Sequence, residues 1–403
     1  MKNAIILLLI SIFHFSTRHH ASAQEGIIEI DLTKSIETDL PMSRIFENIE
    51  YIRLETTENC RLKNASLYVT SEYIIAANTF RGVFVFDRKT GKFLHEVASP
   101  SQYAYSMGTF FFDEKKNLYP FWNMDHWKIF NVKTNQEEYL IRNPLHAKRQ
   151  TPLLTSPVFL NDSILAIHID NESGIEPYKL LLFNRNGVIK RAYPNHLLYE
   201  VFGQNTTPTH AFYRYGNHLF FKESEYNDTV FRVTENQLIP HITFKLGNKK
   251  PSFPTESRFL KSAQSEKQGG FTIASSPDGG WNVKVDFETD HYVFLSAYVK
   301  EGLAASGYFL AYYDKKEHRT YRTKLTSNDK VKEKGYINDI DLLPNFCPVT
   351  KNEEDEIAGC IEAQVLLEYM TKHEKQKKRD KIKNLSDIRI NDNPIIVIAK
   401  IKR

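Results

Sequence analysis

The chain has 403 residues, of which 41% are hydrophobic and 25% charged, so it can bury a large core and is not a disordered protein. Its 53 Lys and Arg against 49 Asp and Glu leave a formal charge of only +4, which argues against a dedicated nucleic-acid binder with a concentrated basic face. Aromatic residues make up 13% of the chain, with 27 Phe and 21 Tyr beside 17 Gly, and this balance favours β structure.

The N-terminus has the three parts of a secretory signal peptide. Lys2 precedes the apolar run 4–13, and the segment Ala-Ser-Ala at 21–23 supplies the small residues of a cleavage site. The apolar run is shorter than the roughly 20 residues that a membrane-spanning helix needs. No Cys follows it, so a lipid anchor is not expected. We therefore predict a signal peptide over 1–23 and a mature chain, 24–403, that is exported to the periplasm or secreted without a transmembrane segment.

A strand–turn–strand unit recurs along the mature chain, and each copy has an aromatic residue near the end of its first strand. The aligned aromatic residues are Phe86, Phe130, Phe183, Phe231 and Tyr313. The first four are separated by steps close to the roughly 40–50 residues of a four-stranded propeller blade. The last step is longer, and an inserted Pro-, Ser-, Lys- and Gly-rich loop over 248–280 accounts for it.

Shorter β-branched and aromatic runs between these hairpins supply the other strands of each blade, at 73–77, 163–168, 218–221 and 292–298. The sequence therefore predicts an all-β fold, a six-bladed β-propeller over 24–403.

The C-terminal part predicts a helical insertion in the last blade, over about 360–380. Its apolar residues recur near period 3.6, as Ile361, Val365, Leu366, Tyr369 and Met370. A basic stretch then follows, which is either a solvated helix end or a contact for an anion or a membrane. The final apolar run and the first strand of the mature chain, at 27–32, are predicted to close the sixth blade together, which removes open sheet edges.

Several segments resemble a known family. They are 47–56, 83–94, 392–402 and the stretch from Asn338 to Pro348, and together they resemble the exported six-bladed β-propeller family of Bacteroidota, much of which is a domain of unknown function. The resemblance implies the fold and an exported location but no reaction, cofactor or catalytic residue. Where such proteins often carry a Gly-Pro-Gly-Glu-Tyr loop, this chain has Ser-Pro-Ser-Gln-Tyr at 99–103.

Propellers bind ligands on one face, above the central channel. With the strands assigned as above, the loops between second and third strands share a face with the connections between blades. Aromatic side chains beside carboxylates suit sugars, because a sugar ring stacks on an aromatic face while polar groups bind its hydroxyls. The candidate binding residues on this face are Arg81, Trp122, Asp125, His126, Glu172, Tyr226 and Asp228.

Two further pairs could carry chemistry. His168 and Asp170 alternate onto one strand face, and with Asp125 and His126 they could supply ligands to a metal. Asp339 and Asp341 are also predicted to share a strand face, and they could be an acid pair of the kind that cleaves glycosides, or a polar strand edge. The three cysteines match no zinc motif, and Cys347 could bridge to Cys360 or stay reduced. We expect no metal and no cofactor.

The absence of nucleophile-elbow, metalloprotease and phosphate-loop motifs favours a non-catalytic exported binding protein whose ligand is a glycan, a peptide or an envelope protein. Propeller enzymes often lack local motifs, so a glycoside hydrolase or polysaccharide lyase stays open. A third hypothesis is that the protein is a structural component of an envelope complex and docks to it through the basic helix end.

Overall fold

The structure is a computed structural model that describes residues 26–62, 65–78, 82–98, 112–123, 125–145, 157–171, 175–198, 204–205, 212–223, 226–251, 273–274, 280–301, 304–327, 335–372 and 387–402. The predicted signal peptide and most of the 248–280 loop lie outside these ranges.

Three N-terminal strands precede the first complete sheet: β1 (Ile28–Asp31), β2 (Ile36–Glu37) and β3 (Phe46–Arg53). The strands of blades one to three are β4 (Ser66–Val69), β5 (Tyr73–Asn78), β6 (Gly82–Asp87), β7 (Phe93–Ala98), β8 (Leu118–Asn123), β9 (His126–Asn131), β10 (Gln136–Arg142), β11 (Val158–Phe159), β12 (Leu165–His168), β13 (Tyr178–Phe183) and β14 (Ile189–Pro194).

The second half of the ring follows the same plan. Blades four to six and their connections contain β15 (Gln204–Asn205), β16 (Phe212–Tyr215), β17 (His218–Phe221), β18 (Thr229–Val233), β19 (Leu238–Lys245), β20 (Ile273–Ala274), β21 (Trp281–Glu288), β22 (Tyr292–Glu301), β23 (Ala304–Asp314), β24 (Arg319–Arg322), β25 (Thr326–Ser327), β26 (Thr350–Lys351), β27 (Glu356–Ile361), the helix α1 (Ala363–Lys372) and β28 (Ile395–Ile401).

Six small sheets stand in a ring, so the predicted six-bladed β-propeller is confirmed. Neighbouring strands within each blade pair in antiparallel order, from β4-β5-β6-β7 in blade one to β26-β27-β28-β3 in blade six. The first strands of neighbouring blades contact one another, as β16 and β21 do, which places them around the central axis. As the sequence predicted, Phe86, Phe183, Phe231 and Tyr313 lie in the third strands of their blades; Phe130 lies in β9, the middle one of the three described strands of blade two.

The interior is divided into six apolar layers, one in each seam between neighbouring blades. Alternating side chains of one strand enter different seams, because successive side chains of a strand point to opposite faces. In β13, for example, Leu181 packs towards blade two and Leu182 towards blade four. Burial on both faces explains why these strands are almost continuously apolar.

One N-terminal strand differs from the prediction. We expected 27–32 in the last blade, but β1 pairs in parallel with β19 of blade four. β2 pairs in parallel with β24 of blade five, and β3 then completes blade six by pairing with β28. The N-terminal segment thus follows the outer edges of two blades before it enters the third, and it covers strand edges that would otherwise be open.

Asn393 connects the C-terminal strand to the segment after β3. Its side-chain amide donates to the carbonyl oxygens of Glu55 (2.7 Å) and Cys60 (2.8 Å), and its Oδ1 accepts from the Leu62 N–H (2.7 Å). Its own N–H donates to Thr56 Oγ1. Since Asn393 is completely buried, these bonds satisfy an amide that would be costly to bury unpaired.

The helix α1 lies between β27 and β28, so the predicted helical insertion in the last blade is confirmed. It is shorter at its start than predicted, because Cys360 and Ile361 belong to β27. Leu366 is fully buried against the seam between blades five and six. The basic stretch after Lys372 lies mostly outside the described residues, and none of the described helices is both long and apolar enough to cross a membrane.

Candidate functional site

The loops between second and third strands and the connections between blades lie on one face, here called the loop face. Of the seven predicted binding residues, Arg81 and Glu172 lie outside the described residues. The other five fall into two groups, one in blade two and one in blade four.

In blade two, Trp122, Asp125 and His126 belong to the turn between β8 and β9. Trp122 pairs across the strands with Trp127, and their rings are 4.6 Å apart. Trp122 also packs on the apolar layer between blades two and three, so much of its ring is already used in packing. Asp125 is exposed and its carbonyl oxygen accepts from the Asn143 N–H at 2.9 Å. His126 is half-buried at the start of β9.

In blade four, Tyr226 and Asp228 lie in the turn before β18. Tyr226 is buried, whereas the sequence placed it among exposed loop residues. Its position before a buried strand brings the ring inward. Asp228 is half-exposed and forms an ion pair with Lys250 at 2.6 Å. The two groups belong to different blades, with blade three between them.

A polar cluster bridges blades three and four beneath the loop face, and we name it the His168 cluster (His168, Lys179, Glu223 and Asn227). The Lys179 ammonium donates to Glu223 Oε2 at 2.9 Å, and the Asn227 amide donates to the same oxygen at 2.9 Å. The His168 ring packs 5.5 Å from the ring of Phe221 in blade four.

A bulge in β13 explains how Lys179 reaches blade four. Tyr178 pairs with Pro194 while Leu180 pairs with Tyr193, so Lys179 is the extra residue of β13 at this point. A bulge of this kind redirects a side chain relative to the regular alternation. Lys179 therefore lies on the side of the sheet that faces Glu223 rather than on the side that faces blade two.

The His168 cluster contains one positive charge, on Lys179, and one negative charge, on Glu223, which compensate each other. Burial, together with the nearby positive charge of Lys179, lowers the pKa of His168 to about 4. The imidazole is therefore neutral at neutral pH, and the Lys179 charge is compensated by Glu223. Among the described residues, both hydrogen bonds to the Glu223 carboxylate reach Oε2, which leaves Oε1 as an oriented acceptor.

Exposed apolar side chains border the cluster on the loop face. Tyr178 precedes Lys179 and is 39% exposed, and Ile175 and Leu198 are 44% exposed each. Two asparagines hold the loops that carry them: the Asn171 amide donates to the Leu197 carbonyl oxygen at 2.7 Å, and the Asn195 amide donates to that of Glu176 at 3.1 Å. The patch thus combines an aromatic ring, apolar side chains and a buried acceptor.

The sequence had singled out His168 but missed Lys179 and Glu223. The two residues are 44 positions apart, and each looks like an ordinary strand-end charge when it is read alone. The sequence contained one weak signal. Lys179 and Glu223 lie about one blade repeat apart, and each stands near the end of a strand that reaches the loop face.

The opposite face of the ring is crossed by contacts between blades that are not neighbours. Lys115 of blade two contacts Asn217 of blade four at 2.8 Å and Glu353 of blade six at 3.6 Å. The Glu353 N–H also donates to Glu114 at 2.9 Å. Burial raises the pKa of Glu114 to about 7. Turns of blades two, four and six thus meet on this face of the ring.

The predicted acid pair does not share a strand face. Asp339 and Asp341 lie in a turn, because Asn338 Oδ1 accepts from the Asp341 N–H at 3.0 Å. Asp339 accepts from the N–H and the hydroxyl of Ser43, whereas Asp341 accepts from the Tyr51 hydroxyl at 3.3 Å. The two carboxylates are therefore bound to different partners in the N-terminal segment.

The cysteines and the candidate metal ligands can also be placed. Cys60, Cys347 and Cys360 are all unbridged, which favours the reduced alternative. Burial raises the pKa of the Cys360 thiol to about 12, so it is a poor nucleophile. Within the part of the chain that the structure describes, no group of three or more His, Cys, Asp or Glu is arranged to hold a metal ion.

The ring of six small antiparallel sheets defines the chain as a member of the six-bladed β-propeller class. More specifically, residues 27–400 match the family model of a domain of unknown function, DUF4934, and the chain belongs to that family. This confirms the resemblance to exported Bacteroidota propellers.

A solved structure shares the fold of this chain. The crystal structure of a "putative exported protein" from Bacteroides fragilis NCTC 9343 matches with a TM-score of 0.66 and 16% identity, over 94% of this chain and 100% of that one. The pyranose dehydrogenase PQQ domain from Coprinopsis cinerea matches with a TM-score of 0.40 and 7% identity, over 92% of this chain and 100% of that one. None of the curated proteins matches the chain.

Proposed function

We propose that the protein is an exported, non-catalytic binding propeller whose ligand is a glycan held on the loop face over blades three and four. The observation that carries this proposal is the Glu223 carboxylate. Lys179 and Asn227 fix one of its oxygens, so the other is pre-oriented to accept a hydrogen bond from a ligand hydroxyl. A rigid acceptor costs little ordering entropy on binding.

The surroundings of Glu223 favour a neutral, polyhydroxylated ligand. The Lys179 charge is paired and His168 is neutral, so neither side chain offers an unpaired cation to a strongly acidic peptide. Tyr178 offers an exposed ring next to this acceptor, and a sugar can stack on that ring while its hydroxyls bond to polar groups. Peptides and envelope proteins are the competing ligands that the test must separate.

The first experiment is a thermal-shift screen of the mature chain, 24–403, with neutral oligosaccharides, peptides and divalent metals. A ligand that binds only the folded state raises the melting temperature by mass action. A neutral glycan should give the largest shift. A screen in which only peptides shift the transition, or in which no glycan does, contradicts the proposal.

Two variants then test the position of the site by calorimetric titration of the glycan. Tyr178→Ala removes the exposed ring, and Glu223→Gln removes the charged acceptor; each should weaken binding about tenfold or more. Tyr298→Ala is the matched control, since Tyr298 has the same 39% exposure but lies in blade five. Equal losses in Tyr178→Ala and Tyr298→Ala would place the site elsewhere.

The same glycans should be incubated with the protein and analysed for new reducing ends or unsaturated products. The binding proposal expects none. Release of product would instead identify a glycoside hydrolase or a polysaccharide lyase, the enzymatic alternative that the sequence left open.

Export is part of the proposal. The signal-peptide pattern over 1–23 and the fold shared with the "putative exported protein" of Bacteroides fragilis support it. Cell fractionation with mass spectrometry of the purified protein should find the chain outside the cytoplasm, beginning at Gln24. A cytoplasmic protein that retains Met1 or Lys2 would refute this part alone.

A further inference from the structure

Three turns from blades that are not neighbours meet on the face opposite the loop face, and we name their meeting the turn contact. The turns are 113–117 in blade two, 216–217 in blade four and 352–355 in blade six. The Lys115 ammonium donates to Asn217 Oδ1 at 2.8 Å, and the Glu353 N–H donates to Glu114 Oε2 at 2.9 Å. The turn contact therefore joins blades that share no seam.

Glu114 enters the turn contact without a counter-charge. It is half-buried, and among the described residues no cation forms an ion pair with it. Glu353 and Glu354, on the opposing turn of blade six, both disfavour its ionised form. The charge of Lys351 favours that form, but Lys351 already pairs with Asp355 at 2.6 Å. A negative charge on Glu114 is therefore poorly compensated when the turns are in contact.

The remaining charged groups around the turn contact interact with other acids. These groups are Asp113, Lys115, Lys116 and Arg214. Lys115 lies 3.6 Å from Glu353, and Lys116 pairs with Asp162 at 2.6 Å. The Arg214 guanidinium interacts with the charges of Asp113 and Glu353. The described ion pairs of these cations thus leave Glu114 as the uncompensated carboxylate.

This environment makes the folded protein hold a proton on Glu114 that the unfolded chain releases. Burial, aided by the like charges of Glu353 and Glu354, raises the pKa of Glu114 from 4.5 to about 7. A folded-state pKa above the unfolded value means that the folded state binds the proton more tightly. The resulting stabilisation is fully present below about pH 4.5 and is lost as the pH rises towards 7 and above.

We propose that the turn contact is a proton-controlled brace between blades two and six, which protonated Glu114 keeps closed and ionised Glu114 loosens. Protonation removes the repulsion from Glu353 and Glu354 and the cost of keeping an uncompensated charge away from water. The protonated carboxyl retains its carbonyl oxygen, so it can still accept from the Glu353 N–H. The brace lies on the face opposite the glycan site proposed above and does not depend on it.

Amide hydrogen exchange of the mature chain, followed by mass spectrometry, tests the brace at pH 6 and pH 8. After correction for the intrinsic pH dependence of exchange, peptides that cover the three turns should open about tenfold more readily at pH 8. Peptides that cover β13, in the core of blade three, should keep their protection. Equal protection of the turns at both pH values refutes the proposal, and so does an equal change in the turns and in β13.

Glu114→Gln assigns the effect to this carboxyl, because the amide keeps an acceptor for the Glu353 N–H but cannot ionise. Its turns should be equally protected at pH 6 and pH 8, at the level of the wild type at pH 6. The control is Glu72→Gln, since Glu72 lies in the corresponding turn of blade one, is exposed and pairs with Lys133 at 3.1 Å. The control should keep the tenfold change of the wild type. A tenfold change that persists in Glu114→Gln overturns the proposal.

Discussion

Two seams of the propeller contain a histidine, a lysine and a glutamate from neighbouring blades, but they use them differently. Between blades four and five, Glu288 is completely buried and accepts from Tyr213, His241 and Lys315 at 2.9, 2.9 and 2.7 Å. We name this group the Glu288 cluster. In the His168 cluster, Glu223 accepts from only two described residues, Lys179 and Asn227, and through one oxygen.

The two clusters differ in whether a carboxylate oxygen remains available to accept a further hydrogen bond. Burial by itself raises the pKa of Glu288, but the hydrogen bonds and charges of His241 and Lys315 outweigh it and lower that pKa overall. Every strong donor around Glu288 is used to keep the carboxylate ionised in the interior. In the His168 cluster the histidine is neutral instead, and Oε1 of Glu223 accepts no hydrogen bond from the described residues. The comparison teaches that a charged group in a seam indicates a ligand site only where its bonds are incomplete.

The largest expected effect is the loss of the Glu288 carboxylate. Glu288→Gln should lower the free energy of unfolding by about 3–5 kcal/mol, because the largely buried Lys315 ammonium is left without its counter-charge. Glu223→Gln should cost about 2 kcal/mol or less, since only two described donors bind Glu223, both at one oxygen, and the side-chain carbonyl of Gln can accept in its place. Urea unfolding of both variants measures the difference. Equal losses of unfolding free energy would show that the two carboxylates contribute equally to stability.

The second prediction concerns the pH dependence of stability through His168. Its pKa is about 4 in the folded state and about 6.5 in an unfolded chain. The unfolded state therefore takes up a proton first, and folding stability is lost as the pH falls from about 6.5 towards 4. The loss between pH 7 and pH 4.5 should be on the order of 2–3 kcal/mol.

The measurement is urea unfolding at both pH values for the wild type and for His168→Gln. Subtracting the two pH dependences removes the contribution of other titrating groups. An identical pH dependence in the variant would show that His168 titrates normally in the folded protein.

The third prediction concerns the source of the low His168 pKa. Lys179→Met removes the positive charge but leaves the burial, so the pKa of His168 should rise while staying below 6.5. An NMR titration of the imidazole signals measures it directly. Lys315→Met, in the other seam, is the control and should leave the His168 titration unchanged. A His168 pKa that does not move would assign the whole effect to burial.

The smallest expected effect is at the edge of the His168 cluster. Asp228 and Lys250 form an ion pair in which both side chains are partly exposed. Asp228→Asn should therefore change the free energy of unfolding by less than about 1 kcal/mol, and high salt should remove the difference. A larger and salt-insensitive loss would indicate that Asp228 belongs to the structural core of the seam.

The repeated hairpins could be predicted because each one combines a local strand pattern with a turn. Phe86 and Phe183 indicate the same blade position without reference to the rest of the chain. The N-terminal strands could not be assigned in this way. The segments 27–32 and 46–53 are equally strand-like, and only the long-range pairing of β3 with β28 decides which one closes the ring.

The sequence predicted the face of the propeller that carries the candidate site, but not most of the residues that form it. The loop face follows from the order of strands, and His168 is visible in the sequence. Lys179 was not predictable, because the bulge that redirects it depends on the pairing of Tyr178 with Pro194. Nor was the burial of Tyr226, which depends on its packing within the fold.

The pairing of β3 with β28 also determines how the chain can fold. β3 is made early, but its partner is among the last residues to be synthesised, and the contact between Thr56 and Asn393 spans 337 positions. Until that partner arrives, β3 lacks the strand beside which it will lie, and contacts of such sequence separation form slowly. An incomplete ring would expose an unpaired strand and an apolar seam, a state prone to aggregation. Closure should therefore be the slow step of folding, and chains truncated before β28 should fail to reach a stable native state.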